Sequence, residues 1–331
     1  MSRRVCLIVN PASGGGWSRR RLRRLETAAA RHLPEHVIRT TEGPGHASAL
    51  AREAGRHGFD VVAAVGGDGT AHEVVNGFFE AAEACMPHVG FGLVHHGTGG
   101  DLRRTLEVPH ALDDAVRRLG SSPLVPMDVL DVAVTPLEGG EPVRRVCVNV
   151  AGFGLNGEVV RFASTGVKRV LGPLTFSWAT ARALMAMKPA QVTLRTEDAS
   201  GTRDTWSGPL VSVFVANGGW CGGGMWVGRG GSPTDGLTDV TVIPDMPFSR
   251  LVWGTPRLFD GRVTRVKGVS RTRMRSLLAL TEEARPVRVD LDGELSGCLP
   301  LEIRVMPKAL LVASSAAHLH SHARPTDLER V

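Results

Sequence analysis

Short apolar runs alternate with amphipathic stretches over the first third of the chain. Four of these runs have the length of buried strands, and they lie at residues 5–9, 37–40, 61–65 and 89–94. The segments between them have the apolar spacing of helices, which are predicted up to about residue 32, near 46–57, and from 70 to about 84. This alternation of strand and helix predicts a doubly wound α/β layer.

From about residue 127 the pattern changes to runs with β character. Strands are predicted at residues 129–134, 145–150, 192–196, 210–215, 237–243, 263–269, 273–280 and 287–291. Glycine-rich turns and one helical stretch near 173–187 separate them, which predicts a β-sandwich-like second domain with few helices. Two late strands are predicted at 301–305 and 309–312.

A length of 331 residues suits two domains. We expect a first domain at residues 1–127, to which residues 305–313 return, a β-rich domain at 128–304, and a disordered tail at 314–331. The sequence has no run of 18 or more apolar residues, so no membrane span is predicted. The apolar stretch near the start is too short for a signal peptide, and the expected location is the cytoplasm, including the inner face of the membrane.

Cysteine spacing, net charge and aromatic content indicate which kinds of site and partner the sequence favours. The five cysteines are scattered without a CxxC pair, which argues against a disulfide framework or a zinc site. The net charge is +6, and basic residues cluster within 19–24 and 262–275. Such clusters fit peripheral contact with an anionic membrane surface, or only a solvated helix face. The absence of tyrosine and the few other aromatic residues argue against nucleic acid as a partner.

A glycine-rich loop follows the first predicted strand. It contains Asn10, Pro11, Ser13 and Gly14 and continues to residue 16. Glycines let backbone amides approach a phosphate closely, and the following helix offers its positive end. The loop is not a Walker loop, because the required Lys-Ser/Thr pair is absent. Since ligands of open α/β sheets bind at the carboxyl ends of strands, this loop is a candidate phosphate site.

The loop after the third predicted strand consists of Gly66, Gly67, Asp68, Gly69 and Thr70. A carboxylate in a phosphate cradle would repel the ligand unless a cation intervened, so Asp68 predicts Mg²⁺, held directly or through water. The alternative is that Asp68 only caps a helix. Thr70 and Glu73 fit a capping box, which predicts that a helix starts there.

The loop after the fourth predicted strand repeats the pattern. It places Thr98 and Asp101 among three glycines within residues 96–101. One such loop is a weak signal, but three loops after adjacent strands predict a single phosphate-binding edge.

Together these motifs resemble those of the soluble bacterial diacylglycerol kinase and sphingosine kinase family of lipid kinases, from about residue 5 to 312. The other residues that carry the resemblance are Asn76-Gly77, Arg104, Met127-Asp128, Asn149, Gly152, Gly154, Asn217, Gly222-Gly223-Gly224, Asp235-Gly236-Leu237 and Asp292-Gly293-Glu294. The central GGDGT motif is shared with NAD kinases and phosphofructokinases, whereas the late acidic motifs favour the lipid branch. The resemblance implies a two-domain lipid-kinase architecture, with a three-layer α/β domain like that of NAD kinase followed by a β-sandwich-like domain.

The resemblance also implies an ATP-dependent kinase that transfers the γ-phosphoryl group to a hydroxyl of diacylglycerol or a related lipid alcohol. The three loops would bind the nucleotide together with Thr41, which matches a nucleotide-contacting threonine of the family. Glu294 would be the general base. Asp68 is the alternative base, because spacing along the chain does not decide between the two carboxylates.

A structural Mg²⁺ is implied near Asp235. The backbone carbonyl groups of Ser232 and Leu237 are its other expected ligands. The sequence leaves a homodimer open.

Three departures from the family pattern keep other functions open. Gly100 stands where the family usually has asparagine, Asn156 where it usually has aspartate, and residues 229–233 replace the usual Pro and Ala before Asp235. They allow a kinase of the same fold with a non-lipid acceptor, or a catalytically silent protein that binds nucleotide or lipid.

Overall fold

The computed structural model describes residues 2–81, 83–164, 182–186, 188–198, 201–314 and 319. Most of the helix predicted near 173–187 and nearly all of the tail predicted from 314 lie outside the described residues. Within the described part of the chain, no helix combines the length and the apolar character needed to cross a membrane.

Four parallel strands form the centre of the first domain, in the order β6-β3-β1-β2. The strands of this domain are β1 (Arg4–Val9), β2 (Glu35–Thr40), β3 (Val61–Gly66), β4 (Phe79–Glu80), β5 (Glu83–Ala84) and β6 (Gly90–His95). Its helices are α1 (Arg19–His32), α2 (His46–Arg56), α3 (Asp68–Asn76), α4 (Asp101–Thr105) and α5 (Leu112–Ser121). Every residue of β3 is buried, as expected of a central parallel strand covered on both faces.

The second domain is a layered antiparallel structure. Its strands are β7 (Leu124–Thr135), β8 (Val143–Cys147), β9 (Val150–Gly154), β10 (Ala190–Asp198), β11 (Gly201–Ala216), β12 (Trp220–Cys221), β13 (Met225–Trp226), β14 (Thr238–Pro244), β15 (Ser270–Met274), β16 (Ser276–Thr281), β17 (Arg288–Leu291) and β18 (Glu294–Ala313). Its helices include α6 (Leu155–Ser164), α7 (Phe248–Gly254) and α8 (Pro256–Phe259). The predicted combination of an α/β domain and a β-sandwich-like domain is confirmed.

Strand β18 joins the two halves of the molecule. It pairs with β7 along most of its length, and near its end Leu311 and Val312 pair in parallel with β6. Residues 305–313, which we expected to return to the first domain, all lie in this strand. The strand therefore belongs to one continuous sheet that borders two separate apolar cores. One core lies around β1–β6, and the other lies between the layers of the second domain.

The strand predicted at 263–269 is wrong, because Val263–Arg265 forms a 3-10 turn. Val263 and Val266 are both buried, so the apolar spacing is three, which suits a tight helical turn and not the period of two that a half-buried strand requires. Helices α7 and α8 directly precede this turn and had no counterpart in the sequence prediction. The strand predicted at 273–280 is two strands, β15 and β16, separated at Arg275.

Candidate active site

The three glycine-rich loops meet at the carboxyl edge of the parallel strands. Asn10 joins the first two loops, because its Nδ2 donates a hydrogen bond of 3.0 Å to Oγ1 of Thr70. Its Oδ1 accepts from the backbone N–H of Ala12 at 3.0 Å, and its carbonyl oxygen accepts from Oγ of Ser13 at 2.8 Å. One short amide side chain thus fixes the first loop in shape and position.

Glycine is required where the third loop approaches the other two. A Cβ placed on Gly97 would lie 2.7 Å from Cα of Gly67, so two backbones are in direct contact there. Gly14 has φ of +59°, and a Cβ on it would lie 2.8 Å from Cε1 of His96. A side chain at either position would push the loops apart, which explains why glycines recur in these motifs.

Asp68 caps the helix that follows the third loop. Its Oδ2 accepts from the backbone N–H groups of Gly100 at 2.8 Å and Asp101 at 3.4 Å, and its Oδ1 accepts from Leu102 at 3.2 Å. These are N–H groups at the start of α4, which have no partner within the helix. The capping role left open by the sequence is therefore real, but the capped helix is α4 and not the helix that contains Asp68.

The capping box predicted at Thr70 and Glu73 is wrong. Helix α3 begins at Asp68, with Gly67 at the cap position and no side-chain cap. Glu73 instead accepts a hydrogen bond of 3.1 Å from the backbone N–H of Ala47, and Thr70 is buried and bonded to Asn10. Both side chains therefore bond to groups outside α3: Glu73 to α2 and Thr70 to the first loop.

Asp101 lies close to Asp68 at the same edge of the sheet. A Cβ on Gly99 would lie 2.7 Å from Oδ2 of Asp68 and 3.8 Å from Oδ2 of Asp101, so the two carboxylates converge on one point. Arg104 donates to Oδ1 of Asp101 at 2.9 Å, and the backbone N–H of Gly223 donates to its Oδ2 at 2.7 Å. Burial raises the pKa of Asp101 to about 6, against the lowering effect of the Gly223 N–H.

The second domain reaches the loops through a tight hairpin. Leu291 and Glu294 face each other across β17 and β18, so Asp292 and Gly293 form a two-residue turn. Both have positive φ, at 53° and 84°, which is the geometry of a type I′ turn and the reason that Asp-Gly suits it. The turn directs the start of β18 towards the first domain.

Asp292 anchors this turn from within the protein. Its carboxylate accepts from the backbone N–H groups of Val148, Asn149 and Val150 at 3.0, 2.8 and 3.1 Å. Nδ1 of His72, on α3, lies 2.9 Å from its Oδ2 and ties the hairpin to the first domain. Burial alone would raise the pKa of Asp292, but the hydrogen bonds from His72 and the amides outweigh it and hold the pKa below its usual value.

Glu294 faces the central glycine loop. A Cβ on Gly69 would lie 2.5 Å from Oε1 of Glu294, so the carboxylate rests against the backbone of the GGDGT motif. The residue is exposed, which leaves its carboxylate accessible to solvent. The structure therefore brings Glu294 and the three loops together, although about 220 residues separate them in sequence.

The remaining predicted nucleotide residues border the same edge. Thr41 is buried at the end of β2, where its N–H donates to the carbonyl oxygen of Val9 at 2.9 Å. Pro11 and Thr98 are exposed on the first and third loops. Nucleotide binding by these residues stays a prediction.

The pair Asp68 and Asp101 fits a magnesium ion carried by a nucleotide. Mg²⁺ in phosphotransfer sites is held by one or two carboxylates together with the substrate phosphates, and two carboxylates converge here at Gly99. Asp68 and Asp101 are the residues that would hold such an ion.

The stretch around Asp235 does not fit a free magnesium ion as its side chains stand. Oδ2 of Asp235 is ion-paired with the guanidinium of Arg273, and its Oδ1 accepts from the N–H of Leu237 at 3.1 Å. Oγ of Ser232 is 2.8 Å from Oγ1 of Thr234. Arg273 already supplies the positive charge at Asp235, so an ion would have to displace it, and the magnesium site predicted there stays untested.

The departures Gly100 and Asn156 have local explanations. Gly100 has φ of +74° and its N–H donates to Asp68, so glycine suits this position at the start of α4. Asn156 donates to the carbonyl oxygen of Val213 at 3.0 Å and lies beside Gly152 and the buried Asp290. An aspartate at 156 would replace this donor with a second carboxyl group beside Asp290.

Sequence reasoning missed two connections that position the site. His72 belongs to none of the motifs that carry the resemblance, yet it holds Asp292. Asn76 clamps β8, since its Oδ1 accepts from the N–H of Val146 at 2.9 Å and its Nδ2 donates to the carbonyl oxygen of Val146 at 2.8 Å. Their spacing of four on α3, one turn apart on the same face, was the signal available in the sequence.

Two family models match the chain. A diacylglycerol kinase catalytic domain matches residues 4–132, and a YegS C-terminal NAD kinase beta sandwich-like domain matches residues 149–314. Together they span most of the described molecule.

Curated relatives and solved structures agree with these models. A "Probable lipid kinase YegS-like" protein of Stenotrophomonas maltophilia is 26% identical over 82% of this chain and 84% of the relative. A "Putative lipid kinase YtlR" of Bacillus subtilis is 24% identical over 92% of this chain and 97% of the relative. A crystal structure of a "putative diacylglycerol kinase" from Bacillus anthracis has the same fold, with a TM-score of 0.73, 23% identity, and coverage of 96% of this chain and 99% of the other.

The two matched domains, in this order, contain the loops and the hairpin that form the candidate site. The resemblance inferred from the motifs is confirmed, and the chain belongs to the bacterial diacylglycerol kinase-like family of lipid kinases.

Proposed function

We propose that the protein transfers the γ-phosphoryl group of ATP to a hydroxyl of a lipid alcohol, with diacylglycerol as the leading acceptor. The observation that carries the proposal is the contact between Glu294 and Gly69. It puts an accessible carboxylate of one domain beside the phosphate-type loop of the other. Phosphoryl transfer needs in-line positioning, charge neutralisation and a base near the nucleophile, and this arrangement offers a place for each.

The three loops would hold the triphosphate. Backbone N–H groups of the glycines around Gly14, Gly67 and Gly97 can approach phosphate oxygens closely, because no side chain intervenes. Magnesium, when bound with the nucleotide at Asp68 and Asp101, would neutralise negative charge on the phosphates. Arg104 extends from α4 across Asp101 to the second domain and adds a fixed positive charge on the same side.

Glu294 is the better candidate for the general base. Both oxygens of Asp68 already accept backbone N–H groups, which favours a role in holding α4 and an ion. Glu294 directly follows the turn that the hydrogen bonds of Asp292 hold in place, so the position of Glu294 is fixed while its carboxylate stays accessible. A base there would take the proton of the acceptor hydroxyl as its oxygen attacks phosphorus.

The test is to incubate the purified protein with γ-labelled ATP, Mg²⁺ and both a total lipid extract and a mixture of soluble metabolites, and to identify the labelled product. A labelled phosphatidic acid would support diacylglycerol as the acceptor. Labelling of a soluble metabolite such as NAD, with no labelled lipid, would replace the proposal with a same-fold kinase of another acceptor. Tight ATP binding with no labelled product in any fraction would identify a catalytically silent binding protein.

A further inference from the structure

Helices α7 and α8 present an exposed aromatic surface. The exposed fractions are 59% for Phe248, 47% for Val252, 82% for Trp253 and 51% for Phe259. Phe248, Trp253 and Phe259 are the only exposed Phe or Trp side chains among the described residues. Exposed aromatic residues confined to one short segment indicate a binding surface, because scattered apolar residues would need no such explanation.

The two helices that carry these exposed side chains are well packed on their other side. The opposite side of the two helices packs Leu251 and Leu258 against a small core that includes Ile243 and Val266. The backbone at Gly254 lies so close to Val266 that an added Cβ would be 3.1 Å from its Cγ2. The segment is therefore anchored through its packed apolar side, and its aromatic side chains are exposed on the other side.

Basic residues surround the aromatic ones. Five exposed cations occur within residues 245–267, namely Arg250, Arg257, Arg262, Arg265 and Lys267. The same segment contains only two acids, Asp245 and Asp260, and Oδ1 of Asp260 accepts the backbone N–H of Arg262. Cations beside exposed Trp and Phe match the two layers of an anionic bilayer surface, phosphate outside and acyl chain beneath.

The surface connects to the candidate active site through a short hairpin. Next to α8, a Cβ on Gly261 would lie 3.0 Å from the ring of Trp226. Trp226 stacks on Trp220 with ring centroids 5.0 Å apart, and the carbonyl oxygen of Trp220 accepts from Asn149 at 2.6 Å. The tip of this hairpin donates the Gly223 N–H to Asp101. A bilayer at α7 and α8 would therefore lie beside an element that contacts the third loop.

We propose that the α7–α8 surface, formed by Phe248, Val252, Trp253, Phe259 and the five neighbouring cations, docks the protein on an anionic phospholipid bilayer. The inference rests on the proposed lipid acceptor, which a protein acting from the aqueous side must take from a membrane surface. The aromatic side chains enter the headgroup region, and the arginines contact lipid phosphates. Each cation near an anionic surface strengthens binding by about fivefold.

The basic segment of α1 offers a comparison without the aromatic component. Four of its arginines line a depression of about 730 Å³, namely Arg19, Arg20, Arg23 and Arg24. Arg21 instead faces the first loop, with its guanidinium 5.9 Å from the ring centroid of Trp17. The depression has charge but none of the exposed large apolar side chains, so only electrostatic attraction is available there.

The experiment measures co-sedimentation with vesicles of phosphatidylcholine alone and of phosphatidylcholine mixed with phosphatidylglycerol. We expect the double variant Trp253→Ser/Phe259→Ser to bind the mixed vesicles about tenfold or more weakly than the unchanged protein. Leu137→Ser, which removes an exposed apolar side chain elsewhere, should bind normally. Trp253→Phe should retain binding but lose fluorescence quenching by lipids brominated in the acyl chains.

Turnover of a water-soluble, short-chain diacylglycerol separates this inference from the proposed function. If the double variant binds vesicles weakly but phosphorylates the soluble acceptor normally, docking is supported. Equal vesicle binding by the double variant and the unchanged protein would overturn the docking proposal. So would loss of self-association in the double variant with vesicle binding intact, because the surface would then cover a second copy of the chain. Failure of the unchanged protein to phosphorylate the soluble acceptor would count against the kinase proposal and leave the vesicle result standing.

Discussion

Two Asp-Gly pairs flank the candidate site, Asp68-Gly69 at the start of α3 in the first domain and Asp292-Gly293 in the turn before β18 in the second. Each aspartate accepts three backbone N–H groups, from 100–102 for Asp68 and from 148–150 for Asp292. The environments differ. Asp292 has a side chain only 4% exposed and a histidine partner, whereas Asp68 is half-buried beside Asp101.

This difference shows how one local motif can serve two purposes. Asp292 is closed to solvent, so its bonds stabilise the junction of the domains and fix the position of the next acidic residue, Glu294. Asp68 remains beside the loops where a ligand can reach, so the same kind of bonding orders a site and leaves oxygen lone pairs for a cation. Substitutions at these residues and at their neighbours test this difference.

The largest effect is expected at Asp68. Asp68→Ala should reduce ATP turnover below detection, because it removes both the cap of α4 and a carboxylate of the magnesium pair. Circular dichroism should show that the protein stays folded, since loss of one helix cap costs about 1 kcal/mol. Asp114→Ala, on the exposed face of α5, is the matched control. Normal turnover by Asp68→Ala would remove Asp68 from both the metal role and the alternative base role.

A large effect on the rate alone is expected at Glu294. Glu294→Gln keeps size and shape but removes basicity, so kcat should fall by about 10²–10⁴-fold while ATP affinity stays nearly unchanged. Steady-state kinetics with a saturating acceptor would measure the first, and equilibrium nucleotide binding the second. Retention of most of kcat would make Asp68 the leading base.

The contact with Gly69 supplies a control for that assignment. Gly69→Ala would place a methyl group against the Glu294 carboxylate and should displace it. In the Glu294→Gln background the same substitution should have a much smaller effect on kcat, because there is no base left to displace. Additive effects of the two substitutions would show that the contact does not matter for the reaction.

Asp292 should affect stability. Asp292→Asn leaves an amide group facing backbone donors and removes the charge opposite His72, which should cost about 3 kcal/mol in the free energy of unfolding. Because the folded pKa lies below the usual 3.8, the stabilisation is complete above that value and is lost as pH falls through the lower folded pKa. Urea unfolding should therefore show a difference from the unchanged protein that is full at neutral pH and shrinks below about pH 4.

An exposed carboxylate provides the comparison for Asp292. The side chain of Asp204 is 62% exposed, and Asp204→Asn should change stability little at any pH. An equal effect of the two substitutions would contradict the anchoring role of Asp292.

Asp290, beside the anchored turn, should affect stability alone and with the opposite dependence on pH. Burial, followed by the nearby charge of Asp292, raises the pKa of Asp290 to about 8, and its Oδ1 has no hydrogen-bond partner among the described residues. The neutral form is therefore favoured in the folded state. Its contribution to stability is complete below the usual 3.8 and declines as pH rises to about 8.

Asp290→Asn mimics the neutral form at every pH. Its unfolding free energy should match that of the unchanged protein near pH 4 and exceed it increasingly up to about pH 8. Parallel stability curves for the two proteins across this range would show that Asp290 does not titrate in the folded state.

Much of the first domain could be predicted from sequence because its signals are local. Buried strands such as β3 are continuous apolar runs, and parallel strands place their following loops at one edge. The sequence prediction failed where a short apolar spacing is compatible with two structures. Val263 and Val266 can be assigned to a strand or to a tight turn, and only the packing of α7 and α8 above them decides.

Along the chain alone, the residue types at the ends of the strands and at the late turn are enough to indicate a candidate phosphate-binding edge and the family. The role of each carboxylate depends on the folded structure, because hydrogen-bond partners are set by proximity in space. Asp68 bonds to α4, Asp292 to His72 on α3, and Asp235 to Arg273. Those partners lie from about 30 to 220 residues away along the chain, beyond the range of any local pattern.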